Sequence, residues 1–298
     1  MNRNIRSLPG WRPVLALLLA AALAGCSNMA PVRDFARETQ TLSQSFEPML
    51  AGSHSSCMER YQRRKMLTTR QFDAWEVEKS ARVLCEPVAE SNRVVAQMND
   101  LLHEYAEVLQ ALAEERQPLL QKDVKGLRAS LAGLPGSEGE DAMFDDEQLD
   151  GIAGLAEFIA SLATRHYQRQ GIRELLQHQQ AVETLVDGLD EYASVGYMSW
   201  LADEKRDMQL LRGHLDQAAA SEPLASSWLK VQLLEQQKRI EAREQAVMLF
   251  SRSVSEFKRT NREIRERFEQ LDNQAVAARL RLLARDVRNL RKAVQAAF

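Results

Sequence analysis

Glycine and proline are scarce in this chain, 13 and 8 among 298 residues, and that scarcity argues against a β-rich fold, whose many turns need both. Three cysteines are too few for a disulfide-dense scaffold, and no zinc-ligand spacing accompanies them. Aromatic residues make up only 6%. No apolar run approaches the roughly 20 residues needed to span a bilayer; Val14 to Leu23 is ten residues long. There is no Gly-x-Ser-x-Gly elbow and no glycine-rich phosphate loop, so catalysis has no visible carrier. What remains is 27% charged residues interleaved with 45% hydrophobic ones at helical spacing, and long amphipathic helices follow from it.

The first 28 residues are the most specific part. Arg3, Arg6 and Arg12 make a basic region without an acid, the ten-residue apolar run follows, and Leu23-Ala24-Gly25-Cys26 closes it. This segment resembles the signal peptide and lipobox of bacterial lipoproteins as a class. The resemblance implies removal of residues 1–25, acyl chains of the palmitate kind on Cys26, and a mature chain outside the cytoplasm. Two or more acyl chains anchor stably where one holds only marginally. Ser27 stands where an Asp would favour the inner membrane, so the resemblance implies the periplasmic face of the outer membrane. The covalent lipid is the only cofactor expected. The tether 26–31 reaches about 16–18 Å at most, which keeps the folded body close to the membrane.

Without the leader the chain has 36 basic and 42 acidic residues. Residues 222–298 carry a net charge of +6 and residues 26–221 a net charge of −12, so the portions either attract one another or expose a basic end to an anionic surface. Cys57 and Cys85 lie 14 residues on either side of Gln71. Thr68 and Gln71 match a capping box, and a helical hairpin turning near 68–71 would bring the two sulfurs level, within reach of a disulfide.

Apolar spacing organises the rest into an all-α, irregular bundle of long antiparallel helices with coiled-coil-like seams. Phe35, Leu42, Phe46 and Met49 mark a first helix ending near Pro48 and Gly52. Pro87 interrupts the second arm of the hairpin. Val95, Met98, Leu102, Tyr105, Leu109 and Leu112 then form a seam over 88–117. A shorter helix is expected over 119–132, and Gly133 to Gly139 is the one plain loop, dividing a disulfide-stapled region (32–134) from a long-helix bundle (145–298) that is either separate or continuous with it. Helices are predicted at 145–169 and, with Gly171 as punctuation and a kink at Gly196, to about 219. Ser221 is a candidate N-cap before Pro223. Val247, Phe250, Val254, Phe257, Asn261, Ile264, Phe268 and Leu271 fill eight seam positions; a lone Asn261 there argues for a specified helix partner. The phase then slips at Asp272-Asn273 through a turn or a stutter, and Val276 to Val294 carries a fresh stripe.

Three candidate sites stand against simpler readings. Asp146, Gln148, Asp150, Gly151 and Glu157 fall at calcium-loop positions, while the same acids equally suit the first turn of a helix. His103 follows Asp100 by three, but His178 follows Glu174 by four, so paired di-iron motifs fail. Arg279, Arg281, Arg285, Arg288, Arg291 and Lys292 flank an apolar stripe with only Asp286 opposing; this helix either packs and pairs with the acidic segment 138–150, or lies on a surface or partner. The leading expectation is a non-enzymatic, outer-membrane-anchored scaffold or adaptor that engages an envelope protein through helix packing. The alternative is a small-ligand or cell-wall-polymer binding module, and a hydrolase is a distant third. Nucleic acid is excluded by location, and self-association is open because the seams could close within one chain or between two.

Overall fold

The computed structural model describes residues 29–119, 126–136, 142–162 and 168–298. Among them every regular element is helical, apart from one isolated bridge between Pro135 and Ala142. The leader, Cys26, His166 and residues 137–139 of the expected loop lie outside the described residues.

Helix α1 (Ala30–Thr68) runs straight past both expected stops. Pro48 removes one backbone bond, but the carbonyl it abandons belongs to Gln44, on the exposed side where water can satisfy it. Gly52 does not terminate the helix either. It is a close-approach position, where a Cβ would collide with the Phe298 ring and the Tyr197 hydroxyl. Helix α2 (Ala74–Ala113) likewise continues through Pro87, whose lost bond falls on Val83, 76% exposed.

The turn between them is capped differently from the expected Thr68/Gln71 box. Thr68 closes α1, its hydroxyl bonded back to the Arg64 carbonyl at 2.8 Å. Asp73 is the N-cap of α2, accepting from the Trp75 and Glu76 N–H groups at 2.9 and 3.2 Å. At its other end α2 stops four residues before 117. Glu115 takes a left-handed φ of 60°, and Arg116 N–H bonds the Ala111 carbonyl while Glu115 N–H bonds that of Leu112, a Schellman closure built without glycine.

Helices α3 (Leu127–Leu131), α4 (Asp146–Leu162), α5 (Gln168–Gln177) and α6 (Gln179–Glu191) follow. Gly171 sits inside α5, where a Cβ would come within 3.3 Å of Leu162 and 3.4 Å of Leu112, and the break falls at His178 instead. A π-helical turn, Tyr192–Tyr197, contains the expected kink residue Gly196 and leads into α7 (Met198–Ala218). Ser221 does not cap the next helix; its hydroxyl turns back to the Ala218 carbonyl, and Glu222 holds the cap position before α8 (Pro223–Glu266). The phase slip is a turn: a 3₁₀ segment, Phe268–Gln270, and then Asn273 capping α9 (Gln274–Ala297) through the Ala275 N–H.

Every residue of the 95–112 and 247–271 seams is buried, and one core runs from Val32 to Ala297. It draws on both sides of the 133–145 loop, so the two expected regions share a single interior. Cross-helix contacts give the helix directions. Gln40 bonds Gln110 and Cys57 bonds Cys85, which makes α1 and α2 antiparallel. Arg60 pairs with Asp203 and Arg64 with Asp207, which makes α7 parallel to α1. Lys205 with Glu244 and Asp216 with Lys230 make α8 antiparallel to α7. Two hairpins, α1/α2 and α7/α8, therefore turn at the same pole, opposite residue 30.

Candidate functional site

Above the lower body, the end of the bundle nearer residue 30, the two hairpins meet along a polar seam. Ser53 on α1, Asn92 on α2 and Tyr192 in the π turn form its lower layer: Asn92 Nδ2 donates to the Leu50 carbonyl at 2.7 Å and to Ser53 Oγ at 3.0 Å, and the Tyr192 hydroxyl lies 2.7 Å from Ser53 Oγ. Burial pushes the Tyr192 phenol up to about 12. A π turn inserts one extra residue into the helix, and here it aims both Tyr192 and Tyr197 at α1. A recess of about 210 Å³ opens beside this layer, bounded by Pro87, Asn92, Tyr192 and Trp200.

The upper layer is charged. Glu204, wholly buried on α7, is bonded through one oxygen by Arg63, and its other oxygen lies 3.9 Å from Nη1 of Arg243 on α8. Burial raises the Glu204 pKa against the opposing pull of Arg63. Tyr197 stands beside them, its phenol also raised by burial. On either side of them along the same two helices, Arg60 pairs with Asp203 at 2.5 Å and Arg64 with Asp207 at 3.5 Å. These are directional contacts, so they fix the register of α7 on α1 more than they drive association. The cluster escaped the sequence reading, although a signal existed: Glu204 sits three residues after buried Leu201 and four before Met208, a core phase in which a charge has to find a partner.

At the pole, apolar side chains stand exposed among charged ones. Trp75 is 83% exposed, and Met66 and Phe72 are exposed near the same turn; on the second hairpin Leu224 is 87% exposed, with Trp228, Val231, Leu234 and Leu210 exposed as well. Leu224, Trp228 and Val231 step by four and three along α8, and this stripe faces away from the buried Ser226 and Ile240 that contact the bundle.

The residues singled out from the sequence are dispersed. Cys57 and Cys85 are joined by a disulfide, with Cα atoms 6.0 Å apart. Asn261 is buried inside the chain, where its Oδ1 accepts from the Tyr105 hydroxyl at 3.0 Å, so the helix partner it specifies is α2. It offers nothing to an outside partner. Asp146, Asp150 and Glu157 lie along one continuous helix, which cannot wrap a cation. Asp145 and Gln148 cap its start reciprocally at 2.8 and 2.9 Å, and Arg128 pairs with both Asp146 and Asp150. Among the described residues no trio of His, Cys, Asp and Glu gathers as a metal set.

Helix α9 packs its stripe against α8 and α1. Arg279 pairs with Glu256 at 3.6 Å, Arg285 with Asp286 at 3.0 Å, and Arg288 pulls on Glu38, whose pKa burial nevertheless raises. The described part of the acidic segment is answered by Arg128 instead. Arg281, Arg291 and Lys292 are exposed along α9. No described helix is long and apolar enough to cross a membrane. No protein family, curated protein or solved structure matches this chain.

Proposed function

We propose that the chain is a non-enzymatic bacterial envelope lipoprotein, anchored through acylated Cys26 at the periplasmic face of the outer membrane, that presents its two hairpin ends to a helix of an envelope partner. One observation carries the reading: aromatic and aliphatic side chains from two separate hairpins stand exposed at the pole opposite residue 30. The 39 residues of α1 span about 58 Å at about 1.5 Å each, so an anchor beside residue 30 would place this apolar pole well clear of the membrane. Exposed apolar clusters of this kind mark interaction sites, and the four-three stripe Leu224, Trp228, Val231 is the spacing with which one helix packs on another.

The test is photocrosslinking in living cells from positions 75 and 228, with position 262 on the lower body as control, alongside mass spectrometry of the processed N-terminus. The expected result is a diacylglycerol-modified Cys26 and adducts from the pole mapping to a helical segment of another envelope protein, lost in a Trp75→Glu/Trp228→Glu variant that still melts normally. An unacylated product would overturn the anchor. Adducts between two copies of the chain, or none from the pole, would overturn the adaptor.

A further inference from the structure

The first turns of α2 are only lightly joined to the rest of the bundle. On α1 the hydrophobic core ends at Leu50, and on α2 its side chains start at Val94 and Val95. Beyond Leu50 the buried side chains of α1 are polar: Ser53, Ser56 and Arg63. Across from them, between residues 74 and 86, only Ala81 and Cys85 are buried and Val77 is half-buried, while Trp75, Val83 and Leu84 are 83%, 76% and 60% exposed.

Polar ties are missing as well. Among the described residues no hydrogen bond or ion pair joins 74–91 to another helix: Asp73 caps the N–H groups of the segment itself, Arg82 pairs with Glu78, and Arg93 reaches back to Glu86 and Glu90. The arginines of α1 turn toward α7 instead, Arg60 to Asp203, Arg63 to Glu204 and Arg64 to Asp207. The Cys57–Cys85 disulfide is therefore the one specific tie, among the described residues, that holds this arm to the bundle. A helix of its length is marginal in water by itself. Pro87 weakens the base of the arm further, because the backbone bond it removes would have run to the Val83 carbonyl.

We propose that Cys57–Cys85 is a redox latch: a dithiol that reduces it releases residues 74–86 from α1, with Pro87 as the hinge and the Ser53 and Asn92 layer below as the stop. Attack falls on Cys57, the half-buried end of the bridge. A thiolate of the reductant bonds Cys57 Sγ, the S–S bond breaks, and the Cys85 sulfur leaves as a thiolate and takes up a proton. The second thiol of the reductant, deprotonated, then attacks the mixed disulfide; Cys57 leaves and is protonated in turn, and the reductant ends as its own disulfide. Two electrons and two protons pass to the protein. The release is independent of the adaptor reading, since it follows from how this chain holds its own arm; where that reading holds, reduction takes Trp75 away from the apolar pole.

Hydrogen exchange followed by mass spectrometry on the full chain, before and after dithiothreitol and without denaturant, tests it. Maleimide labelling mapped to Cys57 and Cys85 reports that the bridge has opened. On reduction the amides of 76–86 exchange about a hundredfold faster, the order of the loop-closure restraint that the bridge supplies, whereas 95–112 and 247–271 keep their protection. Cys57→Ala/Cys85→Ala shows the same pattern with no reductant present. A bridge that opens only in denaturant, an arm still protected in the reduced protein and in the alanine variant, or loss of protection throughout the lower core would each overturn the proposal.

Discussion

The hydrogen bond between Tyr105 and Asn261 gives the sharpest test of how the bundle is specified. Both side chains are fully buried at facing seam positions of α2 and α8, the bond is 3.0 Å, and the amide nitrogen of Asn261 has no hydrogen-bond partner. Tyr105→Phe removes the donor and strands the whole amide in an apolar layer, which costs about 1–3 kcal/mol. Asn261→Leu strands the phenol instead, partly offset by the apolar volume it adds. The double variant leaves nothing polar behind, and two apolar groups of matching shape come out close to neutral or better. The expected pattern is therefore one of sign: each single substitution destabilises, and the pair restores. Urea unfolding followed by circular dichroism reads it directly, and melting should show Tyr105→Phe lowered by about 2–12 °C at about 2–4 °C per kcal/mol for chains of this size. A double variant no more stable than Tyr105→Phe would refute the argument. So would a change in molecular mass by light scattering on Asn261→Leu, because it would mean that the asparagine specifies assembly between chains, not the pairing of α2 with α8.

The disulfide spans 28 residues, and closing a loop of that length restricts the unfolded chain by about 3.6 kcal/mol on the loop-entropy model. Cys57→Ala/Cys85→Ala should lower the unfolding free energy by that order in denaturant titrations, and a loss under about 1 kcal/mol would show that the staple joins segments already held together when unfolded. The ring of His178 lies against Phe158 at 4.8 Å, and burial holds its pKa below the ordinary 6.5. A depressed histidine contributes stability that is complete above pH 6.5 and is lost as pH falls through the lowered value. His178→Phe should therefore lose less melting temperature than the parent between about pH 7 and 5; equal losses would place the acid sensitivity elsewhere.

Burial of an apolar stripe depends on helical period alone, and for that reason the seams of α2, α8 and α9 could be read residue by residue, as could the disulfide, which needed only two equal arms. The ends of helices were harder. Pro48 and Pro87 are breakers only if the carbonyl they abandon is buried, and Gln44 and Val83 face outward, a fact that belongs to tertiary packing. Gly171 and Gly52 were read as punctuation although each is required by a neighbour's approach, Leu162 and Leu112 in one case, Phe298 and Tyr197 in the other. The charged layer was hidden for a different reason. Arg63 and Glu204 lie 141 residues apart, and either alone is indistinguishable from a solvated surface residue. Only the core phase of both positions, taken together, marks them.

That charged layer also explains how the apolar pole can stay exposed. If α7 met α1 through leucines and valines, the cheapest arrangement would slide the two hairpins until Trp75, Trp228 and their neighbours were covered by one another, since apolar contacts are non-directional. Ion pairs and hydrogen bonds lack that freedom. Arg60 with Asp203, Arg63 with Glu204 and Arg64 with Asp207 fit only one register of α7 on α1, and a shift by a single turn would leave buried charges unpaired, an error that costs several kcal/mol. The register they enforce lets α7 run seven residues or more beyond the level of Thr68 before α8 turns back, so the two ends stand at different heights and cannot bury each other. Weak net attraction with strict geometry is what a presenting surface requires: the polar seam sets where the hairpins stand, and the apolar residues beyond it are left uncovered.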